Sequence, residues 1–337
     1  LGSNITLKHI AEELGVSTMT VSRALNNHEN VDDRTRKKVV EKAKSMGYTP
    51  NLVAKSLVSK KTYSIGVIIP EISHMFFAQV VKGIDDITYR QEYQLILTIS
   101  AEDIDREKKA LQTLRSKRVD GILVSCSEST GDFSHFKEVI DSGTPMVFFD
   151  RCITGVGAST VSVNDKEGSK RITQHMIDHG YKRIAYLHGP EVSVGLDRLN
   201  GFREALSESN IPERKNLILE SGYLEQGGYG AMQKLLKLPE EHRPDCVIAV
   251  NDPVAIGAVE CMREHSISIP DDIAIAGFSD DIRAGLMECP LTSVKQPAEK
   301  IGREATKKLI KTIQNSDESP EDIELNTELM IRQSCGC

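Results

Sequence analysis

The stretch "VSTMTVSRALNNHENVDDRTRKKVVEKAKSMGYTPN", Val16–Asn51, decides how the chain is read. Just before it, Ile10, Ala11 and Leu14 recur at helical spacing, with Leu7 three residues before Ile10, which predicts a short amphipathic helix. Gly15 follows at once and can take the left-handed conformation that ends a helix. Ser17 is a good N-cap for the next helix. Val21, Ala24 and Leu25 form the buried side of that second helix. Thr18, Met19, Thr20, Ser22, Arg23 and Asn26 remain, several of them on its exposed side. A third helix begins at a capping Asp32 or Asp33, buries Val39, Val40, Ala43 and Met46, and stops at Gly47. So small a core is marginal alone, which suits a module that docks on something.

A plain helical hairpin inside a larger domain would also read helix–glycine–helix. The third helix and the exposed chemistry favour a helix-turn-helix, whose second helix enters the major groove of DNA. Arg23 can donate a bidentate pair to guanine O6 and N7, and Thr18 can meet a base edge or a phosphate. The hydroxyls of Ser17, Thr20 and Ser22, with N–H groups at helix starts, suit phosphate oxygens. Thr6, at the start of the first helix, joins this set, as does Asn26 at the end of the second. Met19 offers apolar contact only.

Charge supports the division. The 337 residues carry a formal net charge of -7, yet residues 1–60 hold ten Lys or Arg against six Asp or Glu. That segment is therefore +4 and the remainder -11. A basic head on an acidic body implies localised binding to a polyanion. Seven scattered cysteines fit a reducing compartment. The terminal "CGC" could bind metal or oxidise, but reads best as a frayed end. There is no basic-then-apolar leader and no apolar run near 18 residues, so a cytoplasmic protein without a membrane span is expected.

After residue 60 the pattern becomes strand and helix in alternation. "YSIGVIIP", "YQLILTIS", "VDGILVSC", "PMVFFD", "ASTVSVN", "RIAYLHG", "NLILES", "CVIAVND" and "DIAIAGFSD" are apolar runs separated by helical stretches. Such strands imply parallel sheets covered on both faces. They are too many for one comfortable sheet, and the block splits near 164 into two doubly wound units. Ligands of these sheets bind beyond the C-terminal strand ends, where polar residues gather here. Those ends are Pro70 to His74, Asp150 with Arg151, Gly189, Asn251 with Asp252, and Ser279 to Asp281. Two such edges facing across a cleft can trap a small ligand and sense it by closure.

"TLKHIAEELGVSTMTVSRALN…VDDRTRKKVVEKAKSMGYTPNLVAKSL" resembles the head of the lactose-repressor (LacI) family of bacterial transcription regulators. "RLNGF", "VNDPVAIG" and "LTSVKQPAEKIGREA" extend the likeness in order, from about Ile5 to Gln333. The resemblance implies an N-terminal all-α helix-turn-helix headpiece with a hinge helix. An α/β periplasmic-binding-protein-like core of two doubly wound parallel-sheet subdomains then follows. The implied boundaries are 4–49 for the headpiece and 50–60 for hinge and linker. The N-terminal core subdomain would take 61–164 plus about 295–322, and the C-terminal one 165–294 plus about 323–334. In the hinge, Asn51 would contact backbone or minor groove, Ala54 would let two hinge helices approach, and Leu57 would wedge open a base step.

In the core, the resemblance assigns effector contacts to Asp150, Arg198 and Asn251, with Phe76, Phe77 and Tyr223 as walls. His74 belongs to the same strand-end set. Phe76 and Phe77 could equally be helix core, and Asn251 could simply cap the next helix. Where the family shows Gly-Tyr/Phe-Asp, this chain reads Gly277-Phe278-Ser279 followed by Asp280 and Asp281, so either a neighbouring acid takes over, with Ser279 and Asp280 as the candidate contacts, or the ligand lacks the group that needs it. The implied protein is a homodimeric DNA-binding regulator, most simply a repressor, on a near-palindromic duplex of roughly 14–18 base pairs. A small effector, sugar-like on the mix of acids and aromatics, would control it; a purine or a phosphorylated partner protein is the alternative.

An enzyme is the first rival. No Gly-x-Gly-x-x-Gly follows the first body strand, and P-loop and HExxH patterns are absent. No catalytic residue or cofactor is expected. "HMIDH" sets His175 and His179 four apart on a helix, but without a third ligand nearby in sequence it reads as helix surface and no metal is expected. A secreted or periplasmic sugar-binding protein is the second rival, and the basic head argues against it.

Overall fold

The computed structural model describes residues 5–48, 61–128, 131–190, 193–315 and 317–337. Two compact units form, residues 1–62 and 63–337. The hinge at 50–60, with Asn51, Ala54 and Leu57, lies outside the described residues.

In the first unit α1 spans Leu7–Leu14, α2 Thr18–Leu25 and α3 Asp33–Ser45. Each boundary has a local cause. Gly15 ends α1 at φ 63°, a region open to glycine at no steric cost. Ser17 Oγ accepts from Thr20 N at 3.0 Å. Asp32, rather than Asp33, caps α3 by accepting from Thr35 N at 3.0 Å. Ile10, Val21, Ala24 and Val39 are fully buried where the helices meet, with Ala11, Val31 and Ala43 beside them. Arg36 Nη2 donates to the carbonyls of His28 and Val31 at 3.0 Å each, which fixes the α2–α3 loop. Val40, expected in the core, is instead 46% exposed, because Val39 and Ala43 already fill the narrow seam.

The second unit begins with β1 (Ser64–Ile69), α4 (Met75–Arg90), β2 (Gln94–Ile99), α5 (Ile104–Ser116) and β3 (Gly121–Val124). Next come α6 (Ser134–Asp141), β4 (Met146–Phe149), β5 (Ser159–Val163), α7 (Asp165–Asp178) and β6 (Ile184–His188). Then α8 (Ser193–Glu208), β7 (Ile218–Glu220), α9 (Glu225–Leu236), β8 (Cys246–Ala249), α10 (Asp252–Glu264), β9 (Ala274–Ser279) and β10 (Thr292–Lys295) follow. The chain ends in α11 (Ala298–Gln314), β11 (Asp322–Leu325), β12 (Glu328–Met330) and a 3-10 turn, Gln333–Cys335.

These strands make two six-stranded sheets, ordered β11-β5-β4-β3-β1-β2 and β12-β10-β9-β8-β6-β7. All pairings are parallel except β12 against β10. Period-two alternation sends Ile65, Val67 and Ile69 of β1 toward α4 and α11, and Ile68 toward α5 and α6. In β6, Ala185 and Leu187 face α9 and α10 while Ile184 and Tyr186 face α7 and α8. Burial on both faces is why these strands read as unbroken apolar runs.

The chain passes between lobes three times: after β5, after β10, and between β11 and β12. The last passage is expected at about 322; β11 pairs with β5 through Leu325 and keeps 322–325 in the first lobe. Helix α11 packs on α4 so tightly that a Cβ on Gly83 would come within 2.1 Å of the Glu299 carbonyl oxygen. Nor is the end of the chain frayed as expected. Ser334 and Cys335 are buried, and Ser334 Oγ donates to Ile275 O at 2.6 Å. No helix among the described residues is long and apolar enough to cross a membrane.

Candidate functional site

Helix α2 buries Val21 and Ala24 and turns Thr18, Met19, Arg23 and Asn26 to solvent. Not all of its polar groups are equally available. Thr20 Oγ1 sits 2.9 Å from Ser17 Oγ inside the N-cap, and Thr20 and Ser22 are half-buried. Asn26 Nδ2 donates to Ser22 O at 2.8 Å and closes the helix end. Thr6 is exposed, its N–H donating to His9 Nδ1 at 3.3 Å. Arg23 makes no side-chain bond among the described residues, and Met19 is 61% exposed. One helix face thus carries a free guanidinium fork and an uncovered thioether, groups that fit a guanine edge and a thymine methyl.

In the second unit a cleft opens between the C-terminal strand edges of the two sheets. It encloses about 450 Å³ of empty space, part of it open to solvent. His74, Phe76 and Phe77 line it from the β1–α4 side, and Asp150 from the end of β4. Across from them stand Arg198, Tyr223, Asn251 and Ser279. Phe77 is also core, only 2% exposed. Asn251 is a helix cap as well: its Oδ1 accepts from Val254 N at 2.9 Å and its Nδ2 donates to Tyr223 O at 3.0 Å.

Asp280 is the exception. It leaves the cleft to pair with Arg332 Nη2 at 2.6 Å, and Asp281 lines the cleft instead. Arg283 holds the Asp281 carboxylate at 2.8 Å. Burial works to raise the Asp281 pKa, but bonding to Arg283 outweighs it and the group lies below the usual range.

Arg198 is 4% exposed and tightly held. Its Nε and Nη2 each lie 2.7 Å from Asp165 Oδ1, and Nη1 donates to Val250 O at 2.7 Å. Its Cζ is 3.7 Å from the Phe278 ring centroid. Of the five N–H donors of a guanidinium, two are left over. Burial pushes the nearby Asp150 up to about 6, although Arg151 opposes the shift.

Sequence reasoning missed Asp165, Gln296 and the full part played by Arg151. Arg151 is buried with its Nη1 2.7 Å from Glu102 and its Cζ 4.8 Å from the Tyr223 centroid. Its position two residues after "MVFF" was the available signal, as was that of Gln296 directly after β10. His74 Nε2 and Arg151 Nε are buried polar atoms with no hydrogen-bond partner among the described residues, and both side chains line this cleft, where the buried Gln296 amide faces Asp150 and helps hold its carboxyl down. Buried polar groups are normally satisfied, so two orphans at one cleft mark a place for a ligand. Asp150 at φ 59° and Ser279 at φ 109° sit in backbone that non-glycine residues avoid, at the ends of β4 and β9.

The family described as "Bacterial regulatory proteins, lacI family" matches residues 6–51, and "Periplasmic binding protein-like domain" matches residues 173–335. A "HTH-type transcriptional repressor PurR" of Mannheimia succiniciproducens is 34% identical over 98% of this chain and 98% of its own length. "Catabolite control protein A" of Priestia megaterium is 33% identical over 98% of this chain and 99% of its own. Among solved structures, a transcriptional regulator CelR–cellobiose complex superposes with a TM-score of 0.73 at 27% identity, over 98% of this chain and 100% of that one. With a helix-turn-helix head, two parallel-sheet lobes and full-length likeness to such regulators, the chain belongs to the lactose-repressor family of bacterial transcription regulators.

Proposed function

We propose that this protein is a sequence-specific transcriptional repressor, and that a small sugar-like effector bound between its core lobes sets its affinity for DNA. The exposed face of α2, with Arg23 free and Thr18 and Met19 beside it, carries the DNA-reading part. One such helix covers few base edges, so the chain works as a homodimer on a near-palindromic duplex. Asn51, Ala54 and Leu57 serve at the hinge as the family resemblance implies. The orphaned Arg151 Nε–H, with the two spare N–H groups of Arg198, calls for a ligand with acceptor oxygens, and the unpartnered His74 Nε2 adds a further polar contact. Phe76 and Tyr223 supply flat walls for a ring. The cellobiose held by the CelR relative has this chemistry. Differential affinity for two lobe arrangements is what lets such a ligand shift the DNA-binding equilibrium.

Fluorescence anisotropy with near-palindromic duplexes from the protein's own genome tests this, with and without a panel of sugars. Expected are tight binding that falls steeply with salt and a sugar that changes it. Absence of binding to every duplex at low ionic strength would overturn the reading.

A further inference from the structure

We propose that His175, His179, Cys335 and Cys337 form a binding site for a thiophilic divalent cation of the zinc class, on the second lobe and remote in role from the cleft. The residues come from two distant segments. His175 lies in the last turn of α7 and His179 is its C-cap, so spacing of four puts both rings on one face, with centroids 4.4 Å apart. The C-x-C pair arrives from the chain's last turn.

There Cys337 Sγ lies 2.7 Å from His179 Nε2, 3.8 Å from His175 Nε2 and 3.2 Å from Cys335 Sγ. The donor atoms of His175, Cys335 and Cys337 all fall within 4.8 Å of one another. Two sulfurs and two imidazole nitrogens are the donor set of a tetrahedral zinc site, whose bond lengths of about 2.0–2.3 Å require neighbouring donors roughly 3.3–3.8 Å apart. The three distances to Cys337 Sγ bracket that range, whereas His179 stands outside the set of donors that lie within 4.8 Å of one another and has to swing inward as the fourth ligand. Cys337 and His179 are exposed, which leaves both side chains room to move.

Two further features fit a built site. His179 Nδ1 lies 2.8 Å from the His175 carbonyl oxygen, which can only accept, so the ring proton is on Nδ1 and the Nε2 lone pair faces Cys337. This is the arrangement by which a second hydrogen bond sets the tautomer and aim of a metal-binding imidazole. The turn is also held. Gly336 sits at φ 88° and Tyr181 Oη donates to Cys335 O at 3.0 Å, while a Cβ on Gly336 would come within 2.9 Å of that hydroxyl. The sulfurs at 3.2 Å are not bonded, since a disulfide is about 2.05 Å long. On binding, each thiol gives its proton to water. Two thiolates and two neutral imidazoles then balance the 2+ ion, and the cation ties the end of α7 to the chain's tail. Binding only the folded lobe, it stabilises that lobe.

The test uses the full-length chain, reduced, stripped of metal and titrated anaerobically with Co2+. One Co2+ per chain should bind, with a sulfur-to-cobalt charge-transfer band and the intense visible bands of a tetrahedral site. Zn2+ should displace it and raise the melting temperature. Cys337→Ser and His179→Gln, both at exposed positions, should each weaken binding by about 100-fold or more while far-ultraviolet circular dichroism stays unchanged. A weak octahedral spectrum, no saturable binding by the reduced chain, or a Cys337→Ser variant that binds as the parent does would overturn the proposal.

Discussion

Arg23 and Arg198 both sit on helices, yet their surroundings are opposite. Arg23 is exposed and makes no side-chain bond among the described residues. Arg198 is buried, bonded to Asp165 and Val250, and stacked on Phe278. On the proposed function, Arg23 keeps its fork free for DNA that arrives later, whereas Arg198 is fixed beforehand, so that little ordering cost remains when a ligand binds. The head therefore folds on a few apolar side chains and keeps its charge outside, whereas the body takes charge into its interior.

The sharpest way to break this contrast is Arg198→Ala. It leaves the Asp165 carboxylate buried without its cation and the Val250 carbonyl without its donor. Loss of one partner of a buried ion pair costs about 3–5 kcal/mol. Urea denaturation followed by far-ultraviolet circular dichroism should show the body destabilised by that much. A melt equal to the parent's would mean that Arg198 is not structurally committed.

Next in size is Ile10→Ala. Ile10 is fully buried in a core of few residues, and such a truncation costs roughly 2–5 kcal/mol. A unit this small has little to spare, so the head should unfold while the body's thermal transition stays in place. DNA binding would vanish and sugar binding, by calorimetry, would persist. Arg23→Ala should do less. The fold stays intact, and specific affinity drops by about 1–3 kcal/mol with discrimination lost at one base pair. Anisotropy against a set of single-substituted duplexes measures both.

How much of this could be read from the chain also divides between the two regions. In the head, caps, stop signals and apolar spacing are local, so Ser17, Gly15 and the buried Val21–Ala24 pair could be placed from neighbours in sequence. Val40 could not, because its exposure depends on how closely two other helices approach. In the body, strand-end position pointed to Asp150, Asn251 and Ser279. Which of two adjacent acids enters the cleft was beyond reach, since Arg332, 52 residues away, takes Asp280. Asp165 was hidden for the same reason: its importance comes from Arg198, 33 residues on. The convergence of "HMIDH" with "CGC" spans still more chain, 158 residues between His179 and Cys337.

The smallest predicted effect turns the contrast into a matter of sign. In the head, Asp32 lies below the usual carboxylate range because Thr35 bonds to it, and Glu13 does so because Lys42 bonds to it. A carboxyl lowered on folding stabilises above its unfolded pKa, and that support is lost as pH falls through the folded value. In the body, burial raises Asp252 from 3.8 to about 7, even though Ser293 Oγ and the Asp281 N–H bond to it. Between those two values the folded chain holds a proton that the unfolded chain has released, so stability falls as pH rises. The buried Asp252 contributes a slope of at most about 1.4 kcal/mol per pH unit. Lowering the pH from 7 to 5 should therefore firm the body, and lowering it further should loosen the head, and the body too wherever a carboxyl such as Asp281 is held down. Hydrogen exchange followed by mass spectrometry reads both units in one sample, and Asp252→Asn should flatten the body's slope. Parallel pH profiles for the two units would show that the body's buried carboxyls are charged and paired after all, and the division between an outward-charged head and an inward-charged body would lose its electrostatic basis.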